Sequence, residues 1–311
     1  MMLGSEKRPM DRTTLEVRYR GLRDQGLEAT RLGRFLEAKI AFSQAAEVAA
    51  ELGEPYRDRA FCNLSSIDIE LGADLEAIIP RLRQILVKGA DLESTRLAAY
   101  HLARAYELRA DYKKALFYAR VARERSERTG LRAWLGSSHN QMGQLLIAES
   151  SFAEARAELE AAMELMPRDD ENVVGLASVK VNLGYCFFVQ KEPLRAFPLL
   201  FDALRTLRRV GARGLQSLAH ETLCFGYLES NRLRPAVRHG LRALQLAEQE
   251  GEQQTVKNAL FLLGEAANVA GDSDEARAYF TRLQKQHFPE HDFLADFLLA
   301  VDVRDLVNLR A

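Results

Sequence analysis

The feature that most constrains this chain is a pair of small residues held twelve positions apart and repeated seven times. The pairs are Gly26 and Ala38, Ser65 and Ala77, Ala103 and Ala115, Gly143 and Ala155, Gly184 and Ala196, Cys224 and Ala236, and Gly264 and Ala276. Their first members advance by roughly 40 residues at each step, a period that belongs to repeat architectures. The clearest unit is Ser137 to Pro167, SSHNQMGQLLIAESSFAEARAELEAAMELMP. Two antiparallel helices joined by a tight turn approach closely at one crossing, where only small side chains fit. Gly143 falls inside the first helix, where glycine costs about 1 kcal/mol against alanine. The close approach of Ala155 supplies the packing reason for it. Ala155 and Ala162 lie two turns apart on one face of the second helix, which receives the next unit.

Other positions move in step. Leu64, Leu102, Met142, Leu183, Leu223 and Leu263 precede the first small residue, with Gln25 as the exception. Seven positions beyond it stand Gly33, Gly72, Asn231 and Gly271, residue types that accept the left-handed conformation past a helix end. Ala110, Ser150 and Lys191 hold that place elsewhere, which predicts differently built turns there. Glycines in ELGEPY, ERTGLR, RRVGAR and EQEGEQ punctuate the joints between units. Pro80 is expected in the first turn of a second helix, where its missing N–H does little harm. Residues 1–13 are polar and read as a flexible tail. Residues 291–311 carry Phe293, Leu294, Phe297, Leu298, Val301, Leu306 and Leu309 at helical spacing, which predicts a capping helix with an apolar side broad enough for self-association.

The small–large–small spacing, with Phe152 three before Ala155 and Leu159 four after it, resembles the tetratricopeptide repeat. A repeat of about 40 residues exceeds the usual 34 and enters the HEAT and armadillo range. The glycine-to-alanine offset and the third alanine decide for tetratricopeptides, specifically the longer repeats of bacterial peptide-sensing regulators, kinesin light chains and MalT-like regulatory domains. The resemblance implies an all-α, right-handed α-solenoid over residues 14–290, with repeats starting near 19, 58, 96, 136, 177, 217 and 257. Those bacterial regulators usually carry a further DNA-binding or bundle domain, and none is expected within these 311 residues.

In such arrays the first helix of each repeat lines a concave groove that holds a partner peptide. Carboxamides just before the Leu-Gly pair can bond its backbone as donor and acceptor. That position implies Asn63, Asn140, Gln141 and Asn182, with His101 in the third unit. Asp24, Thr222 and Leu262 stand there in the first, sixth and seventh. By the same register Arg20, Arg23, Arg59, Tyr100, Arg104, Gln144, Tyr185 and Phe225 face the groove. The expected partner is therefore a protein or peptide with acidic or carboxylate features. Arg205, Arg208, Arg209, Arg213, Arg238 and Arg242, with Arg232 and Arg234 between them, form an alternative basic surface. Without interleaved aromatics it reads as a salt-bridged helix surface rather than a nucleic-acid site.

Chemistry is sparse. Forty-three Lys and Arg against 44 Asp and Glu argue against a dedicated nucleic-acid binder. Cys62, Cys186 and Cys224 form no CxxC and read as reduced, packed thiols. His287 and His291 flank Glu290 in HFPEH, but Pro289 breaks the helix that would align them on a metal. No phosphate loop, nucleophile elbow or carboxylate pair appears, so no cofactor, metal or catalytic residue is expected. No signal peptide or membrane span is recognised, which predicts a cytoplasmic location. The function so implied is a non-catalytic binding scaffold. A peptide-responsive regulatory subunit acting on an effector enzyme or transcription factor is the alternative, and a nucleic-acid-binding accessory subunit the least favoured reading.

Overall fold

The computed structural model describes residues 10–311 other than 90 and 305. Most of the polar tail expected over residues 1–13 lies outside these. The described residues form fifteen helices and no strand. The first six are α1 (Arg12–Arg31), α2 (Phe35–Leu52), α3 (Tyr56–Glu70), α4 (Leu75–Lys88), α5 (Leu92–Leu108) and α6 (Tyr112–Thr129). They belong to one compact unit that extends to Leu131. A second unit, from Arg132, holds α7 (Arg132–Ala148), α8 (Phe152–Leu165), α9 (Val173–Val189), α10 (Pro193–Val210), α11 (Arg213–Glu229), α12 (Leu233–Glu250), α13 (Gln253–Ala270), α14 (Ser273–His287) and α15 (Leu294–Ala300).

Within each unit the helices pair as first and second members of seven hairpins, α1 with α2 through α13 with α14. The second small residue of every pair except Ala77 is fully buried. The glycines make room for a side chain sixteen positions on, one turn past the second small residue. A Cβ on Gly143 would lie 2.6 Å from Leu159 Cγ, and one on Gly184 2.8 Å from Leu200 Cγ. Phe42 and Phe280 fill the same place against Gly26 and Gly264. The crossing of Gly143 thus faces Leu159 first, while the Ala155 carbonyl oxygen stands at 3.4 Å.

All seven hairpins turn in one way. A residue with positive φ donates its N–H three positions back, and the next residue donates five back, a Schellman pattern. Gly33 and Arg34 bond Thr30 and Ala29, and Ser150 and Ser151 bond Ile147 and Leu146 in the same manner. Ala110 (φ 54°), Ser150 (φ 61°) and Lys191 (φ 61°) adopt the left-handed conformation as Gly72 and Asn231 do. The different turns expected at those three positions are therefore not found, because the closing hydrogen bonds outweigh the strain of a Cβ in the left-handed region.

Pro80 is also displaced from its expected place. Asp74 caps α4 by accepting from the Glu76 N–H at 2.9 Å, so the helix starts at Leu75 and Pro80 falls beyond its first turn. The helix expected over 291–311 is limited to Leu294–Ala300. Val301 is extended (φ −125°, ψ 122°), and the chain continues as turns toward the first helices of its own unit.

Candidate functional site

In the first unit the expected face is laced with internal ion pairs. Glu93, at the start of α5, reaches Arg59 on α3 at 2.8 Å and Arg23 on α1 at 3.8 Å. Asp91 caps α5 through the Glu93 and Ser94 N–H groups and also holds Arg59 at 3.1 Å. Arg104 bonds Glu70 at 2.8 Å and Glu107 at 2.9 Å. Arg20 is exposed and lies 3.8 Å from Glu16. Asn63 is buried, and Tyr100 packs edge-on to His101. The His101 Nε2 atom is enclosed with no hydrogen-bond partner among the described residues, and burial pushes its pKa down to about 3. Arg23, Arg59 and Arg104 thus tie first helices of this unit together, which is a structural use of their charge.

In the second unit Asn140, Gln141, Asn182, Tyr185 and Phe225 are all buried, and Gln144 is half-buried. Asn182 donates to Asn140 Oδ1 at 3.1 Å, joining α9 to α7. The face of α7, α9, α11 and α13 is covered by Val303, Arg304 and residues 306–311 of the same chain. The Asn308 carboxamide donates to the carbonyl oxygen of Ile147 at 2.7 Å and to Ser150 Oγ at 3.0 Å, satisfying the end of α7. Tyr185 Oη accepts from the Leu309 N–H at 3.1 Å and donates to Asn308 Oδ1 at 3.2 Å. Burial pushes the Tyr185 phenol up to about 12, so it keeps the proton it donates. Asn258 on α13 donates to the Leu309 carbonyl oxygen at 2.7 Å. The Arg310 guanidinium bonds Glu221 at 3.0 Å and Thr222 Oγ1 at 2.7 Å, 4.9 Å from the centre of the Tyr185 ring. Glu221 is fully buried, and burial raises its pKa against the pull of Arg310. Nearer the start of the segment Arg304 stands 3.5 Å from the buried carboxylate of Glu265.

Cavities of about 290 Å³ and 300 Å³ flank this segment. One lies among Phe152, Tyr185, Val189 and Phe225, the other among Phe261, Leu283, Leu294 and Leu298. Sequence reasoning placed Tyr185 and Phe225 here but missed Ser150, Glu221, Asn258 and Arg310. The available signal was polarity inside otherwise apolar helices. Asn258 stands one turn before Leu262, the residue assigned to the carboxamide position, and Glu221 directly precedes Thr222.

The alternative basic surface is a separate cleft of about 1420 Å³ between α10 and α12. Arg205, Arg208, Arg209, Arg234, Arg238 and Arg242 line it around an apolar floor of Phe201, Leu204, Val237 and Leu241. Arg213 lies outside it, 3.6 Å from Glu250. The expected lattice of salt bridges is thin. Arg205 reaches Asp202 at 4.0 Å, and Arg242 bonds the neutral Gln245 at 2.6 Å. Arg208 donates to His220 Nε2 at 3.3 Å, which leaves the neutral ring's proton on Nδ1 to donate to His239 Nδ1 at 2.8 Å. Burial first, then the neighbouring cations, push His220 down to about 3 and His239 down to about 4. Among the described residues no cluster of His, Cys, Asp and Glu could hold a metal ion, and no helix is long and apolar enough to cross a membrane.

Seven hairpins of one geometry, with polar side chains presented from successive first helices, define an all-α tetratricopeptide-repeat fold. Among solved structures the chain is similar to a Rap protein complexed with competence and sporulation factor, at a TM-score of 0.69 and 11% identity. The match covers 94% of this chain and 79% of that one. It is similar also to the Rap conjugation gene regulator of the plasmid pLS20 in complex with the Phr* peptide, at a TM-score of 0.55 and 11% identity, covering 92% and 78%. A tetratricopeptide repeat protein from Parabacteroides merdae matches at a TM-score of 0.50 and 14% identity, covering 91% and 98%. No protein-family model and no curated protein matches the sequence.

Proposed function

We propose that this chain is a non-catalytic, peptide-responsive regulatory scaffold that recognises a protein or peptide partner on its first-helix faces. The observation that carries the reading is the way Tyr185 and Asn258 bond the backbone N–H and carbonyl of Leu309. A face that offers a phenol and a carboxamide to main-chain groups suits an extended peptide whatever its side chains. The Rap structures solved with a competence and sporulation factor and with a Phr* peptide support the same reading at the level of fold. Preorganised helices lose little conformational freedom on binding, which favours affinity from few contacts.

A second reading attaches to the arginine cleft. Arg59 and Arg104 are engaged by carboxylates of their own unit, so an acidic element of a partner is better matched by Arg209, Arg234 and Arg238. Capture of partners from the native host, comparing the unaltered chain with Asn258→Ala and with Arg209→Glu/Arg238→Glu, tests both. Loss of a partner with Asn258→Ala supports the peptide face. Loss with the arginine reversals alone assigns recognition to the cleft instead.

A further inference from the structure

We infer that the first-helix face of the second unit is a binding site for an extended peptide bearing an Asn–aliphatic–Arg sequence, and that residues 306–311 of this chain are its resident occupant. The inference rests on the scaffold reading above and adds the ligand's chemistry and the manner in which the site opens. Three subsites are defined by what now fills them. The end of α7 (the Ile147 carbonyl and the Ser150 hydroxyl) takes a carboxamide N–H₂, while Tyr185 bonds both the carboxamide oxygen and the following N–H. Asn258 reads the backbone carbonyl of the aliphatic residue. Glu221 and Thr222 take a guanidinium beneath the Tyr185 ring. Lysine would serve poorly at this last place, because a forked, planar donor meets Glu221 and Thr222 together and stacks on the ring.

The occupant is held as a ligand rather than as core. Leu306 is 81% exposed and Val307 39%, and open cavities remain on both sides of the segment. Of the apolar side chains described from Val303 onward, Val303 and Leu309 are buried, so the segment's attachment combines these two anchors with polar groups that a competing peptide reproduces. A partner gains the site by exchanging one Asn–aliphatic–Arg strand for another. Glu221 is thereby never left buried without a guanidinium, a state that the loss of hydration strongly disfavours.

The test uses the full chain and a labelled synthetic peptide of residues 303–311 followed by fluorescence anisotropy. Asn308→Ala/Arg310→Ala in the chain loosens the resident segment without touching the first helices. This variant is expected to bind the peptide at least tenfold more tightly than the unaltered chain does. A peptide carrying Arg310→Ala is expected to bind the variant at least tenfold more weakly. Equal, weak uptake by a folded variant and by the unaltered chain overturns the inference. If the variant does not fold, hydrogen exchange on the unaltered chain decides. Excess peptide is expected to accelerate exchange of the resident Leu309 amide, and no change overturns the proposal. Failure here is distinguishable from failure of the scaffold reading. A native partner lost with Asn258→Ala but indifferent to the state of residues 306–311 leaves the scaffold standing and removes the exchange.

Discussion

At the scale of single residues, the repeat is a rule about complementary sizes. Gly143 lies against Leu159, and Gly184 against Leu200. Where the first member is alanine or cysteine, the residue sixteen positions on shrinks: Ala103 answers to Ala119, and Cys224 to Gly240, whose added Cβ would sit 3.0 Å from Cys224 Sγ, while Ser65 departs from the rule with Arg81 in that place. Gly143→Ala is therefore expected to destabilise despite the better helix propensity of alanine. A clash with a packed Leu branch costs about 1–3 kcal/mol, against a gain of about 1 kcal/mol from propensity. Combined with Leu159→Ala, which alone costs about 2–5 kcal/mol, the effect of Gly143→Ala should reverse sign. Urea midpoints of the four chains check this, and strict additivity would refute the contact. Ala110 offers the converse case. Its φ of 54° strains a Cβ, so Ala110→Gly is expected to raise stability by up to about 1 kcal/mol, the left-handed cost of about 1–2 kcal/mol less the added freedom of the unfolded glycine. Asn182→Ala belongs with the destabilising changes. Its carboxamide is buried on Asn140, and stranding that partner costs about 1–3 kcal/mol.

At the scale of elements, two stretches depart from their periodicity, for different reasons. Residues 291–311 carry apolar side chains at helical spacing, yet α15 ends at Ala300. Beyond it Asp302 caps the Arg304 N–H at 3.1 Å and clamps the same residue's guanidinium, and Asn308 and Arg310 are drawn into bonds with α7, α9 and α11. Tertiary hydrogen bonds override the local pattern, and no single-helix rule contains them. The helices α10 and α12 keep their periodicity but gather like charge. Arg234, Arg238 and Arg242 recur one turn apart along α12, facing Arg205, Arg208 and Arg209. Such a surface repels itself, so Arg209→Glu/Arg238→Glu is expected to leave stability unchanged or raise it slightly at low salt. If an acidic partner uses the cleft, its affinity should fall steeply as salt rises from 50 to about 200 mM, where the screening length shortens to about 7–8 Å. The variant should lose that salt slope. A slope retained in the variant would remove the cleft from recognition.

At the scale of the whole molecule, what was legible in the sequence was what repeats. The twelve-residue spacing recurs seven times, with leucine before it in five units and glycine or asparagine at the turn in four, and all the hairpins are found where the spacing falls. What occurs once was not legible. The segment 306–311, the Glu221–Arg310 pair and the buried His220–His239 contact join residues far apart in sequence through side-chain geometry that no period encodes. These singular features also set the response to pH, with opposite signs. His101, His220 and His239 are held neutral in the fold, with pKa values near 3, 3 and 4. The unfolded chain binds protons at these rings from about pH 6.5 downward, so their contribution to stability is whole above that pH and is lost as pH falls. Glu265 behaves oppositely. Burial and Asp302 raise its pKa to about 7 against the attraction of Arg304, so the fold holds a proton that the unfolded chain releases above about pH 4.5. Its contribution is whole below that value and is lost as pH rises through 7. Thermal midpoints of three chains at pH 5.5 and 8 separate the two effects. Relative to the unaltered chain, His239→Asn, whose change leaves Arg208, Arg238 and Arg242 in place around His220, should gain as pH falls. Glu265→Gln should gain as pH rises, since a neutral carboxamide spares the fold a buried charge. Parallel curves for all three chains would mean that these groups titrate alike folded and unfolded, and that their burial does not govern their protons.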